Sequence, residues 1–193
     1  MGSIPTAFLV VRKVSGKDIR EAGSGNVGGF NAFHVTNSKQ TGVLVGVLDG
    51  LKGLLVALAA WWLAPASFWT QGAAVVASIV GHVFPVWLRF KGGRGLATAC
   101  GALFAIGLVY TVVWCLAWVL VYRTRHNILE ANVFSIFLTP LVLTILPASA
   151  LSILFVRPVS SADYLILSYI LSGLLVVSHR EPLREILMRR RPS

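Results

Sequence analysis

Two glycine-rich runs hold the residues best suited to chemistry. The first is Ser15-Gly16-Lys17-Asp18-Ile19-Arg20-Glu21-Ala22-Gly23-Ser24-Gly25-Asn26-Val27-Gly28-Gly29-Phe30-Asn31. Glycines spaced this way let consecutive backbone N–H groups turn onto phosphate oxygens without Cβ obstruction, and Ser24, Asn26 and Asn31 add side-chain donors beside Arg20. The competing reading is a flexible polar linker, but linkers rarely pair such glycine density with basic and amide residues. The second run, Gly81-His82-Val83-Phe84-Pro85-Val86-Trp87-Leu88-Arg89-Phe90-Lys91-Gly92-Gly93-Arg94-Gly95-Leu96-Ala97-Thr98, ends an apolar segment, passes through glycines and cations and opens another. Here Lys91 and Arg94 supply charge, and a helix starting near Leu96 offers its positive end with Thr98 in its first turn. Both runs therefore suit anions, phosphate above all.

Neither run is a nucleotide motif. Gly23-x-Gly25-x-x-Gly28 matches the dinucleotide fingerprint, and Asp49 lies about where a ribose-binding acid would fall, but no strand precedes the glycines. The second run lacks the GxxxxGK[ST] spacing.

The elements that must position these loops are membrane helices. In 193 residues, 56% are hydrophobic and only 12% charged, with mean hydropathy +0.77; that is too little polar surface to cover a water-soluble globule. Apolar segments fall near 1–11, 41–63, 71–88, 96–106, 108–122, 128–156 and 163–178. The expectation is an all-α polytopic membrane protein of about seven crossings, forming one domain over 1–193. The first segment is about half the length of a spanning helix and begins abruptly, as a helix truncated at its start would.

A net charge of +10 raises the possibility of a nucleic-acid binder, but the cations punctuate the apolar segments instead of gathering on one face. They collect in alternate connections: Arg12, Lys13, Lys17, Arg20 and Lys39; Arg89, Lys91 and Arg94; Arg123 and Arg125; and a tail with Arg180, Arg184 and Arg189 to Arg191, with Arg157 as the exception. The positive-inside rule then puts the N-terminus outside, the C-terminus in the cytoplasm and both glycine runs on the cytoplasmic side of the inner membrane.

Further polar residues interrupt the apolar segments. Asp49 and Lys52 stand three apart on one helix face, which suits either a functional pair or a structural one whose charges cancel. His179-Arg180-Glu181 places a titratable group at the end of the last segment, while His82 fits interhelical packing as well as a site. Cys100 and Cys115 lack CxxC spacing and nearby histidines, so neither zinc nor a disulfide framework is indicated.

Together these residues resemble the PlsY family of bacterial membrane acyltransferases. The resemblance rests on Gly16-x-Asp18-Ile19-Arg20 to Gly28 with Asn31, on Gly81-His82-x-x-Pro85 to Phe90-Lys91-Gly92-Gly93-x-Gly95, on His179-Arg180-Glu181, and on Asp49-x-x-Lys52-Gly53. It implies transfer of a fatty acyl group from acyl phosphate to the 1-hydroxyl of glycerol 3-phosphate, giving lysophosphatidic acid. It also implies seven helices, no cofactor and no metal, membrane lipid as surroundings, and a soluble PlsX-like acyl phosphate synthase as partner. Lys91, His179 and Asn26 become the catalytic candidates. Arg20, Gly23, Ser24, Gly25, Asn31, His82, Gly92, Gly93, Arg94, Thr98, Asp49, Lys52 and Arg180 become substrate-binding candidates. A rival is a relative that binds or transports a phosphorylated solute, with Asp49 and Lys52 as pathway charges. The chain departs from the family pattern at Phe30, His34 and Pro182, and Arg94 replaces a lysine with its charge kept.

Overall fold

The computed structural model describes residues 1–153, 155, 156 and 159–189; Arg157, Arg190 and Arg191, counted above among the cations, lie outside the described residues. Among those described, the only regular structure is helical, apart from one bridge pairing Gly107 with Phe155. The α-helices are α1 (Thr6–Ser15), α2 (Gly29–Thr36), α3 (Lys39–Leu63), α4 (Phe68–Val83), α5 (Leu96–Leu103), α6 (Val109–Arg125), α7 (Ile128–Ile145), α8 (Ala148–Ser152), α9 (Ser161–Ser178) and α10 (Arg180–Arg189), with a 3₁₀ turn at Val86–Leu88.

Four helical stretches are long and apolar enough to cross a membrane: Lys39–Leu63, Phe68–Leu88, Ile128–Ile145 and Ser161–Ser178. Each begins at a residue that satisfies the first orphan amides. Ser38 accepts from the Thr41 amide, Ser67 from Thr70, Asn127 from Leu129 and Glu130, and Ser160 from Asp163. The other expected crossings are shorter: α1, α5 and α6 have 10, 8 and 17 residues. At about 1.5 Å per residue, α5 rises about 12 Å, well under the roughly 30 Å of hydrocarbon. The apolar segment expected over 128–156 breaks at Leu146, which is extended before Pro147 (ψ 139°), as a pre-proline residue prefers.

The chain divides into two compact units, Met1–Ala105 and Ile106–Ser193. In the first, α3 is the central helix, packed by α1, α2, α4 and α5. Glycines set its closest contacts. A methyl group on Gly53 would fall on the Thr98 carbonyl oxygen, and one on Gly101 would fall on the Gly50 carbonyl oxygen, so α3 and α5 touch backbone to backbone. Gly101→Val is therefore expected to force the two helices apart, at about 1–3 kcal/mol of overpacking; the thermal midpoint in detergent checks this.

The second unit rests on α6–α7 and α7–α9 packing around buried hydroxyls. Tyr164 donates to the Gly107 carbonyl at 2.9 Å and accepts from the Tyr110 amide at 3.1 Å, while the Tyr110 and Ser172 hydroxyls meet at 2.7 Å.

Candidate functional site

Both glycine-rich loops stand on one apolar floor in the first unit. Ala7 and Val11 of α1, Ile19 and Val27 of the first loop, Ala32 of α2, Val45 of α3 and Leu88 of the second loop form a single buried cluster. Two loops some sixty residues apart in sequence are thereby held to the same surface, each pinned by its own buried aliphatic side chains.

The first loop is organised by Asn31, which is 1% exposed. Its Nδ2 donates to the carbonyls of Ile19 (3.1 Å), Ala22 (3.0 Å) and Asn26 (3.0 Å), and its Oδ1 accepts from the Ser24 amide at 2.9 Å. One amide side chain thus ties four points of the loop. Gly23 is needed beside it, since a Cβ there would strike Asn31 Oδ1 and the residue sits at φ +62°. Ser24 and Gly23 are exposed, and Gly25 and Asn26 are half-buried.

Arg20 is pinned within the same loop. It forms an ion pair with Asp18 at 2.6 Å, and its guanidinium lies over the Phe8 ring at 5.1 Å. The hydrogen bond from Arg20 holds the Asp18 carboxyl at about 2, below its ordinary value. The pair is fully formed above the ordinary carboxylate range and weakens only as pH falls through about 2. Amide exchange in this loop, corrected for intrinsic rates, is therefore expected to be flat from about pH 7 down to about pH 4.

The second loop folds back on the end of α4. The Gly92 amide donates to the Val83 carbonyl at 3.0 Å and the Gly93 amide to the His82 carbonyl at 3.2 Å. These amides, expected from the sequence to face a ligand, close the end of α4, whose last carbonyls would otherwise lack donor partners. Lys91 is exposed and Arg94 half-buried. Gly95, at φ +83°, then turns the chain into α5. In the first turn of that helix the Thr98 hydroxyl is fully buried, with no hydrogen-bond partner among the described residues.

Gly93 is where the loops meet. A methyl group there would collide at once with His82 Nε2 and with the Val27 carbonyl oxygen of the first loop. Only glycine fits.

Asp49, Lys52 and His82 lie behind that junction, 2%, 6% and 8% exposed. Lys52 Nζ is 2.7 Å from Asp49 Oδ1 and donates to the Ile4 carbonyl at 3.1 Å. His82 Nδ1 stands 3.5 Å from the same carboxylate oxygen, and the Thr6 hydroxyl also donates to it. Their substrate-binding assignment from sequence meets a different arrangement: all three are turned inward on one another. Thr6 carried no sequence signal, because it lies in an apolar run 43 residues from its partner.

His179 and Arg180 belong to the second unit, at the junction of α9 and α10. His179 is 1% exposed, and its Nδ1 donates to the Leu175 carbonyl at 2.8 Å, which leaves Nε2 as the basic nitrogen of the neutral ring. Arg180 is exposed. Pro182 is buried in the first turn of α10, where a proline costs no helical hydrogen bond. In α2, Phe30 and His34 are exposed and stack edge to face at 4.5 Å.

Comparison with known proteins agrees with this phosphate-suited geometry. A family model described as glycerol-3-phosphate acyltransferase matches residues 1–189. The glycerol-3-phosphate acyltransferase of Bradyrhizobium diazoefficiens is 35% identical over 187 residues, covering 96% of this chain and 86% of that protein. That of Gluconobacter oxydans is 39% identical over 139 residues, covering 72% and 65%. Crystal structures of PlsY, an integral membrane glycerol 3-phosphate acyltransferase, are also similar. The glycerol 3-phosphate form superposes with a TM-score of 0.74 at 29% identity, over 99% of this chain and 92% of that one. The lysophosphatidic acid form gives 0.78 at 31%, over 99% and 88%. With a family model matching residues 1–189 and a relative 35% identical over 96% of its length, this chain belongs to the glycerol-3-phosphate acyltransferase family of integral membrane PlsY proteins.

Proposed function

We propose that the chain transfers a fatty acyl group from acyl phosphate to the 1-hydroxyl of glycerol 3-phosphate, as a single acyltransferase domain in the bacterial inner membrane. The observation that carries this reading is the convergence of two glycine-rich, cation-bearing loops at Gly93 on one apolar floor. Membership of the family and the resemblance to the glycerol 3-phosphate and lysophosphatidic acid forms of PlsY support this choice of substrate and product.

The chemistry requires little covalent help. The glycerol hydroxyl oxygen attacks the acyl carbon, the bond from that carbon to the phosphate oxygen breaks, and inorganic phosphate leaves with the electron pair. The hydroxyl proton passes to a phosphate oxygen of a substrate. The protein has to bring two dianionic groups together and hold them in line, a task for fixed cations and oriented donors. In this reading Lys91 and Arg94, with the amides opening α5 and the buried Thr98 hydroxyl, hold one phosphate. Ser24, Asn26 and the turn at Gly23 and Gly25 hold the other, with Arg20 lending positive charge from its place beside Asp18. For His179 and Arg180 the family resemblance implies a role toward substrate. About seven crossings with the N-terminus outside and the C-terminus inside would put this face in the cytoplasm, where a PlsX-like synthase could deliver the donor.

Purified protein given acyl phosphate and glycerol 3-phosphate is expected to release lysophosphatidic acid and phosphate in equal amounts. Binding of glycerol 3-phosphate without product would favour the solute-binding alternative and sink the acyltransferase.

A further inference from the structure

A buried cluster lies under the loop junction, and its size decides what it can do. The cavity beside it, lined in part by Lys52, His82, Val27, Gly92 and Gly93, has about 10 Å³ of room, enough for about one water and far short of a three-carbon phosphate. Asp49, Lys52 and His82 therefore do not reach a substrate through it. They reach the loops. His82 presents Nδ1 to the Asp49 carboxylate, so its Nε2 edge is turned to the opposite side, where Gly93 and the Val27 carbonyl converge. The backbone carbonyl of the same histidine accepts from the Gly93 amide. His82 thus bears on the second loop through both ring and main chain, at the point where Gly93 meets the Val27 carbonyl of the first loop.

A buried carboxylate survives only when it is neutralised. Lys52 does this at 2.7 Å and is itself held by the Ile4 carbonyl, while Thr6 adds a hydroxyl donor. Asp49 and Lys52 cancel each other's charge, and His82 packs against the pair. It is left as a rigid spacer whose ring orientation is fixed by an acid on another helix, in the way a carboxylate orients a ligating histidine from behind.

We propose that His82, filling the junction at Gly93 with Asp49 and Lys52 packed behind it, sets the separation of the two phosphate loops. This deepens the acyltransferase reading and rests on it for its kinetic consequence. It makes His82, Asp49 and Lys52 positioning residues, not substrate ligands.

The test separates the two edges of the histidine ring. In His82→Gln the side-chain amide reaches the place of Nε2 and keeps the contact at Gly93. In His82→Asn the amide stands near the place of Nδ1, keeps the approach to Asp49 and leaves the junction empty. The expected result is that His82→Gln retains a near-native KM for glycerol 3-phosphate. His82→Asn should raise that KM about tenfold or more with a smaller change in kcat, as displaced positioning groups do. Amide exchange followed by mass spectrometry should rise in peptides covering 24–28 and 90–95 in His82→Asn alone, with α3 unchanged. Failure of His82→Asn to fold beside a native His82→Gln would carry the same meaning. Equal behaviour of the two variants, whether both native or both unfolded, would overturn the proposal by making His82 ordinary packing. The exchange readout needs no turnover, so its outcome stands apart from any failure of the acyltransferase reaction in the unsubstituted protein.

Discussion

Lys91→Ala is expected to lower kcat/KM for lysophosphatidic acid formation by about 10²–10³-fold, with an unchanged thermal midpoint. Lys91 is exposed and stands immediately before the glycine pair that turns back onto α4. Its removal costs the fold no buried contact. It does remove a point charge from the place where the proposed reaction gathers two phosphate groups, each of nearly two negative charges. A cation fixed there by the protein needs no reorganisation as charge shifts onto the leaving phosphate, so its loss falls on the transition state. Lys91→Arg, which keeps the charge but changes the donor geometry, is expected to recover only part of the rate. Near-native turnover of Lys91→Ala would remove the second loop from the chemistry.

Asn31→Ala should be nearly as damaging by another route. The side chain spends both amide hydrogens on three carbonyls and its oxygen on the Ser24 amide, all inside a loop without regular structure. Alanine leaves those groups to find water or stay unpaired, at about 1 kcal/mol per lost hydrogen bond and more where a group stays buried. The floor residues Ile19 and Val27 still hold the ends of the loop, so the fold is expected to survive while the turn at Gly23–Gly25 loosens. Misplacement of phosphate donors by about 1 Å is enough for roughly a 100-fold loss of activity. Asn31→Asp keeps the acceptor for Ser24 but turns a charge toward three carbonyls, and is expected to be no better. Steady-state product formation, together with exchange in the peptide covering 19–31, checks both variants. Retained activity with a protected loop in Asn31→Ala would contradict the hub role.

Much of this was legible from residue types. The starts of the four long apolar helices are spelled by Ser38, Ser67, Asn127 and Ser160, and the two loops by their glycines and cations. The Asp49–Lys52 pair follows from spacing alone, since residues three apart share a helix face. What the pair serves does not follow, because Thr6 and the Ile4 carbonyl come from far along the chain and carry no local mark. Asn31 shows the same boundary. Its donors are evident from its type, but only the fold shows that they point into the loop. Gly92 and Gly93 read as a ligand cradle because flexibility and amides are what a cradle needs; closing the end of α4 needs the same two properties. The helix at Gly29–Thr36 was hidden within a run that reads as loop, since Gly28 and Gly29 open it without a side-chain cap. The break after α7, by contrast, was marked by Pro147 within an otherwise continuous apolar segment.

In the proposed reaction both glycine loops of the first unit handle phosphate together. This is tested most directly by amide exchange of the purified protein with glycerol 3-phosphate and a non-hydrolysable acyl phosphonate, added separately and then together. The two ligands together are expected to protect peptides covering both 20–31 and 90–98, and Lys91→Ala to lose protection in the second. Protection of neither loop, or of one alone with both ligands bound, would contradict it.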